Sequence, residues 1–157
     1  MAIDVGDEAP DFELMDQDRN PVRLSSFRGR KSVVVVFYPL AFTGVCQGEM
    51  CAIRDAITDF DSADVQTLAI SVDSGPVHAK WAAEQGYTFP LLADFWPHGE
   101  VARSYGVLQE DIGLALRGTF IVDKQGTVAY KVVNAIPDPR DLDDYRKVLA
   151  DLEARPR

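Results

Sequence analysis

The chain has 157 residues, 46% of them apolar, and its 25 acidic residues against 16 basic ones give a formal charge of -9. This size and composition predict one globular domain over residues 1–157, which buries about two thirds of its unfolded surface without needing a stabilising disulfide or metal. The acidic balance, with no basic cluster, argues against a nucleic-acid partner, and no apolar run approaches the roughly 20 residues of a membrane span.

The predicted elements of the first half form a strand, helix, strand unit. The run SVVVVFY at 32–38 is β-branched and aromatic throughout, which is typical of a strand buried on both faces. Residues 44–60 carry apolar side chains at steps of three and four, which predicts a helix. VQTLAISVD at 65–73 is a second buried strand, so the two strands are expected to be parallel.

The second half completes an α/β pattern. We expect, in order, a helix at 75–85, a short apolar segment at 89–94, a helical turn at 100–106, two strands within 117–133 joined at Lys124–Gly126, and an amphipathic helix at 139–152. This order predicts a thioredoxin-like fold, in which a central mixed sheet has helices on both faces.

Both cysteines of the chain lie on the predicted helix at 44–60, five residues apart. Their spacing is neither that of a C-x-x-C redox pair nor that of a zinc site. Thr43 is a predicted N-cap whose hydroxyl accepts a first-turn N–H, which places Cys46 beside unpaired N–H groups and the positive end of the helix dipole. Cys46 is therefore a candidate thiolate nucleophile, and Glu49, three residues later, can hold a basic side chain.

Each cysteine also has a plainer interpretation. Cys46 could be a small buried hydrophobe on the core face of its helix. Cys51 is predicted on the polar face, where it could be a chance surface residue. The N-terminus lacks the features of a secretory signal, and two cysteines without a larger framework fit a reducing compartment, so a cytoplasmic location is expected.

Several segments resemble the peroxiredoxins, which are thiol peroxidases built on a thioredoxin fold. Pro39-x-x-x-Thr43-x-x-Cys46 resembles the active-site signature of this family, and VGDEAPDFEL and RGTFIVD occur in the family's order. AFTGVCQGE and FPLLADFWPHG are similar to the alkyl hydroperoxide reductase E subgroup of actinobacteria. The resemblance covers nearly the whole chain, and it implies reduction of hydrogen peroxide and organic hydroperoxides, with peroxynitrite as a further candidate substrate.

The resemblance also implies a role for each residue of the signature. Cys46 would attack the peroxide O–O bond and become a sulfenic acid. Thr43 would orient the peroxide, Arg117 would stabilise the thiolate and the peroxide oxygens, and Pro39 would shield the sulfur. The backbone N–H groups of Val45 and Cys46 would complete the oxygen pocket.

The second cysteine departs from the E subgroup, whose members typically work with one. The spacing of Cys46 and Cys51 is instead similar to the peroxiredoxin Q pattern, which implies that Cys51 resolves the sulfenic acid. On an ideal helix their Cα atoms would lie about 8.7 Å apart, beyond the limit of about 7 Å for a disulfide. Resolution would therefore require the first turns to unwind, which Gly48 makes easier, unless Cys51 is a bystander and an external thiol resolves.

No cofactor or metal is expected. His78 and His98 lack partners at metal-ligand spacing and are predicted to be surface or loop residues. Reducing power would come from a thiol donor, for which thioredoxin and a mycothiol/mycoredoxin route both remain open. A homodimer or larger homo-oligomer is expected, with aromatic residues such as Phe42 and Trp96 near a contact between subunits.

Other functions of the same thiols remain alternatives. A disulfide reductase is disfavoured because the C-x-x-C motif is missing. A peroxide-sensing redox relay and a holdase without efficient turnover belong to different functional classes. Steady-state consumption of peroxide with a thiol donor would distinguish these from a peroxidase.

Overall fold

The secondary structure alternates strands and helices along the chain. The structure is a computed structural model that describes residues 3–56, 60, 62, 64–136 and 140–154. The strands are β1 (Glu13–Met15), β2 (Pro21–Arg23), β3 (Ser32–Phe37), β4 (Val65–Ser71), β5 (Leu91–Ala93), β6 (Leu108–Gln109), β7 (Leu114–Ala115), β8 (Arg117–Val122) and β9 (Val128–Asn134). The helices are α1 (Gly44–Asp55), α2 (Gly75–Gln85), α3 (Glu100–Ser104) and α4 (Leu142–Ala154), with a 3-10 turn at Leu24–Phe27.

A mixed five-stranded sheet forms the centre of the fold, with the order β5-β4-β3-β8-β9. β3 pairs parallel with β4 and antiparallel with β8, while β4–β5 is parallel and β8–β9 antiparallel. Every residue of β3 is buried, as expected for a β-branched strand covered on both faces. This architecture confirms the predicted thioredoxin-like fold.

Two apolar cores lie on opposite faces of the sheet, because successive side chains of a strand point to opposite sides. Val34 and Val36 of β3 pack in one cluster with residues of α1, α2 and α4. Val33 and Val35 pack in the other with residues of α3. The helices therefore lie on both faces, with α1, α2 and α4 on one side and α3 on the other.

The predicted elements agree with the structure except at their ends. β3 and β4 stop one and two residues earlier than expected, and two short pairs, β1–β2 and β6–β7, were not predicted. The predicted helix at 44–60 is helical over α1 and at Phe60, while 57–59 lie outside the described residues. The last helix begins at Leu142 and not at 139, and 137–139 are likewise outside the described residues. Within the part of the chain that is described, no helix is long and apolar enough to span a bilayer.

Candidate active site

Cys46 lies in the first turn of α1, directly after the loop that leaves β3. Thr43 occupies the N-cap position with extended backbone angles, and its carbonyl accepts the N–H of Gln47 at 2.8 Å. The prediction that its hydroxyl caps the helix is wrong. The hydroxyl instead donates to the carbonyl of Leu40 at 2.7 Å, so it faces back into the loop and makes no capping bond to the first turn.

The backbone of the loop over residues 39–43 is held in place by several local features. Pro39 is buried where the chain leaves β3, the position at which a shield for the sulfur was expected. Phe42 adopts φ 62°, a left-handed conformation that is uncommon for a residue other than glycine. The N–H of Ala41 donates to Oδ2 of Asp73 at 2.8 Å, so the loop is tied to the end of β4.

Arg117 makes direct contact with the thiol. Its Nη1 lies 3.1 Å from the Sγ atom of Cys46, and both residues are buried. β8 runs antiparallel to β3 with Val36 opposite Thr119, so Arg117 at the start of β8 lies beside the end of β3, where the loop to α1 begins. The sheet register thus brings together two predicted site residues that are 71 positions apart in sequence.

Glu49 joins the same group from one turn further along α1. Its Oε1 accepts from Nη1 of Arg117 at 2.6 Å, and its Oε2 accepts from the backbone N–H of Arg140 at 2.8 Å. Nη1 of Arg140 also donates to Oε1. The expectation that Glu49 holds a basic side chain is confirmed, and it holds two.

Arg140 is the site residue that sequence reasoning missed. Its side chain is fully buried, with Nε donating to Oγ1 of Thr119 at 2.9 Å, and Thr119 in turn bonds the hydroxyl of Tyr145 at 2.9 Å. Burial lowers the pKa of Arg140, and the adjacent Glu49 acts in the opposite direction. No local spacing marks this arginine in the sequence. The available signal was that a carboxylate on the core-facing side of a helix needs buried positive partners.

The buried charges around Cys46 do not sum to zero without the sulfur. One glutamate and two arginines carry a net positive charge while Cys46 is protonated. An ionised Cys46 makes the group of four electrically neutral and receives a charge-assisted hydrogen bond from Arg117. A negative charge that develops at the sulfur is therefore compensated within the group.

Cys51 does not lie on a solvated polar face, so that prediction is wrong. It is half-buried, and its Sγ atom lies 3.3 Å from the hydroxyl of Tyr87 and 3.7 Å from Oε1 of Gln85. The C-terminal end of α2 and the residues after it cover this side of α1. Burial and the contact with Cys51 raise the pKa of Tyr87. Both cysteines are free thiols, on one uninterrupted helix and with different surroundings.

The two histidines have different environments. His78 is completely buried, so its predicted surface position is wrong. It lies on α2 with its Nε2 atom 2.9 Å from the hydroxyl of Tyr38 and 2.7 Å from Oγ of Ser71. His98 is exposed, as predicted, and bonds the carbonyl of Gly113. The described residues contain no group of three or more acidic, histidine or cysteine side chains placed to hold a metal ion.

An open, largely apolar groove of about 320 Å³ runs beside the active-site helix. It is lined by Val45, Gly48, Glu49, Ala52, Arg140 and Leu142. The groove therefore shares Glu49 and Arg140 with the charged group around Cys46, and Val45 precedes the nucleophile directly.

Comparisons with known proteins agree with this geometry. Residues 5–131 match the model of the AhpC/TSA family. The chain is 47% identical over 152 residues to alkyl hydroperoxide reductase E of Mycobacterium tuberculosis, which covers 97% of this chain and 99% of the relative. It is 40% identical over 159 residues to thioredoxin peroxidase of Echinococcus granulosus, covering 95% of this chain and 81% of the relative.

Solved structures show the same likeness. Peroxidoxin BcpB from Mycobacterium tuberculosis superposes with a TM-score of 0.82 at 34% identity, covering 99% of both chains. The reduced 2-Cys peroxiredoxin of Plasmodium vivax superposes with a TM-score of 0.84 at 32% identity, covering 95% of this chain and 81% of that one. The chain therefore belongs to the AhpC/TSA family and is a peroxiredoxin, a thiol-dependent peroxidase.

Proposed function

We propose that this peroxidase reduces hydrogen peroxide, organic hydroperoxides and peroxynitrite with Cys46 as the nucleophile. The observation that carries the proposal is the contact of Arg117 with the sulfur at 3.1 Å, within a buried group that becomes neutral when the thiol ionises. The sulfur forms a bond to one peroxide oxygen as the O–O bond breaks. The electron pair of that bond leaves on the second oxygen, which takes a proton to become water or an alcohol, while from peroxynitrous acid it leaves as the nitrite anion without a proton.

Donors at the entrance to α1 stabilise the charge that develops on the oxygens. Arg117 donates to the sulfur, and the first-turn N–H groups of Val45 and Cys46 are free of a Thr43 side-chain cap. The Thr43 hydroxyl gives its proton to Leu40, so its oxygen can accept the O–H of an incoming peroxide. Buried donors of this kind are worth more than the same donors in water.

The apolar groove beside α1 supports organic hydroperoxides as substrates. Its lining by Val45, Ala52 and Leu142 suits an alkyl chain, and it adjoins the nucleophile through Val45. Replacing Ala52, which is exposed in the groove, by Glu would place a charge where the alkyl chain lies. We expect Ala52→Glu to slow oxidation by a long-chain hydroperoxide and to leave the rate with hydrogen peroxide unchanged. Equal slowing of both would count against the groove.

We further propose that Cys51 resolves the sulfenic acid by attacking the Cys46 sulfur and releasing water. Both thiols lie on the continuous helix α1, so the helix must open before the sulfurs can bond. Gly48 between them is exposed, and apart from its chain neighbours and the backbone of its own helix, no atom of the described residues lies within 4 Å of where its side chain would begin. Its low helix preference lowers the cost of opening. The disulfide is then reduced by thioredoxin or by a mycothiol/mycoredoxin system.

Intact-mass analysis after one equivalent of peroxide tests both steps. The wild type should lose two hydrogens, while Cys51→Ser should retain a sulfenic or more oxidised Cys46. Cys46→Ser should consume no peroxide and remain folded. If the wild type accumulates sulfenic acid with Cys51 still open to alkylation, an external thiol resolves the enzyme and Cys51 has no catalytic part. If Cys46→Ser still consumes peroxide, the nucleophile is wrongly assigned.

Reconstitution with each donor in turn identifies the physiological reductant. The name of the Echinococcus relative supports thioredoxin. The mycothiol route is suggested only by the resemblance to the alkyl hydroperoxide reductase E subgroup of actinobacteria. Sustained peroxide consumption with either donor also separates a peroxidase from a sensor or a holdase, which would stop after about one equivalent.

We propose that the protein is a homodimer or larger homo-oligomer in the cytoplasm. Large apolar side chains are left exposed in the single chain, at Phe42 in the active-site loop, at Val45 just after it, and at Trp96 and Ile112 elsewhere, with Trp96 exposed at 81%. The two free thiols suit a reducing compartment. Light scattering at micromolar concentration should give at least twice the chain mass, and a monomeric mass would refute the assembly.

A further inference from the structure

A chain of buried and partly buried polar groups lies beneath the active-site loop and is not part of the charged group around Cys46. Nε2 of His78 on α2 is 2.7 Å from Oγ of Ser71, at the end of β4. Oγ of Ser71 donates to Oδ2 of Asp73 at 2.6 Å, and Oδ2 of Asp73 also accepts the N–H of Ala41 at 2.8 Å. The chain therefore runs from the core between α2 and the sheet to the backbone of the loop.

The direction of the hydrogen bonds follows from the number of protons available. The Asp73 carboxylate can only accept, so the single hydroxyl proton of Ser71 points to it. The Ser71 oxygen then accepts from His78, so the proton of the imidazole is on Nε2, and the Tyr38 oxygen, 2.9 Å from the same nitrogen, is a second acceptor of that proton. Nδ1 of His78 has no partner among the described residues, and in this tautomer it is an acceptor, not an unsatisfied N–H donor. The hydrogen bonds of the chain thus converge on Oδ2 of Asp73, which Ser71 and the N–H of Ala41 both reach as donors.

The backbone conformation of Phe42 explains why the active-site loop needs a stabilising contact. Phe42, the residue after Ala41, has φ 62°, which costs about 1–2 kcal/mol for a residue with a Cβ atom. Such a conformation persists only where its surroundings enforce it. The Phe42 ring packs against Trp81 of α2 at a centroid distance of 6.0 Å, and Trp81 also packs against Tyr38. Asp73 holds the backbone on one side of Phe42 while Trp81 holds its ring.

We propose that His78, Ser71 and Asp73 are positioning residues for peroxide reduction. Through the N–H of Ala41 they hold Phe42 in its left-handed conformation and thereby keep Thr43 and the start of α1 in place for the peroxide. This inference rests on the proposed function, because the position of Thr43 matters only if peroxide binds beside Cys46. None of the three contacts the sulfur or its arginine partner in the described structure.

Two rate constants of Cys46 distinguish positioning from a general loss of structure. Oxidation by hydrogen peroxide needs the oriented oxygen pocket, while alkylation by iodoacetamide needs only an accessible thiolate. We expect Asp73→Ala to lower the peroxide rate constant by about tenfold to a hundredfold, the usual cost of a small misplacement, with the alkylation rate unchanged. Ser71→Ala, which leaves Asp73 in place, should give a smaller loss in the same direction.

Two further variants complete the test. Asp73→Asn retains an oxygen that accepts from Ala41, so it should recover most of the peroxide rate that Asp73→Ala loses. Thr67→Val removes a different buried hydroxyl of β4, which donates to the carbonyl of Phe60 at the far end of the strand. This matched control should lose stability comparably to Ser71→Ala and keep the full peroxide rate.

The outcomes separate this inference from the proposed function. A wild type that peroxide does not oxidise rapidly at Cys46 overturns the function itself. A rapid wild type with an equally rapid Asp73→Ala variant overturns only the positioning role. Parallel losses of peroxide and alkylation rates in Asp73→Ala, or an Asp73→Asn variant as slow as Asp73→Ala, would likewise refute it, because the loop would not be controlled through the Ala41 bond.

Discussion

Burial of His78 should make the stability of the fold depend on pH. Burial lowers the pKa of its imidazole from the ordinary value of 6.5 to about 4, and the carboxylate of Asp73, 4.0 Å away, offsets only part of this effect. The neighbouring Tyr38 hydroxyl stays neutral because burial raises its pKa well above the ordinary value. The unfolded chain therefore binds a proton at His78 more readily than the folded protein does.

The sign and the size of the effect follow directly. The contribution of neutral His78 is fully present above pH 6.5 and is lost as the pH falls from 6.5 toward about 4. At about 1.4 kcal/mol for each pKa unit, this difference is worth about 3 kcal/mol. His78→Gln keeps a polar group near the Nε2 position and removes the titratable imidazole. The variant should therefore not lose these roughly 3 kcal/mol of free energy of unfolding as the pH falls.

Urea unfolding of the wild type and His78→Gln measures the effect. Between about pH 7 and about pH 4 the wild type should lose about 3 kcal/mol more free energy of unfolding than the variant. Comparing the two proteins cancels the titration of carboxylates that both share. Equal losses in the two proteins would refute the reasoning, since His78 would then titrate alike in the folded and unfolded states.

Three more substitutions test the buried charges and the second thiol. Glu49→Gln leaves two buried arginines without their carboxylate and should lower the free energy of unfolding by about 3–5 kcal/mol in urea titrations, so a loss near zero would contradict the pairing. Arg117→Ala should slow peroxide oxidation of Cys46 by about a hundredfold or more in stopped-flow measurements while Arg140 keeps the domain folded, whereas an unchanged rate would exclude it from the oxygen pocket. Tyr87→Phe removes a hydroxyl that contacts Cys51 and the carbonyl of Gln47. Without these contacts the closed form of α1 is destabilised by about 1 kcal/mol. If opening of α1 limits the rate of disulfide formation between Cys46 and Cys51, this rate should rise about fivefold, and slower disulfide formation would argue against the opening model.

The predicted parts of the site share one property, which is that each is marked within a short stretch of sequence. Cys46 and Glu49 lie one turn apart on a helix whose start is evident from the end of the β3 strand. Arg117 is the first residue of the predicted strand that became β8. The resemblance to peroxiredoxins assigned their chemistry. The contact between Arg117 and the sulfur then follows from the antiparallel pairing of β3 with β8.

The missed parts depend on chain segments that meet only in the folded protein. Arg140 reaches Glu49 across 91 positions, and its own surroundings in sequence are those of an ordinary charged helix start. His78 sits in a helix of modest amphipathicity, where a polar side chain is normally placed in solvent. Its burial is acceptable only because Tyr38 and Ser71 satisfy its Nε2 atom from another element.

By itself the sequence determined the strands and helices, the sheet-forming apolar runs and the placement of the thiols on one helix, because hydrophobic periodicity and helix-start signals act over a few neighbouring residues. Only the tertiary structure decided which cations face Cys46, that Cys51 lies under Tyr87 and that His78 is buried. These features depend on how distant elements pack, and a polar side chain can be buried only where another element brings it a partner.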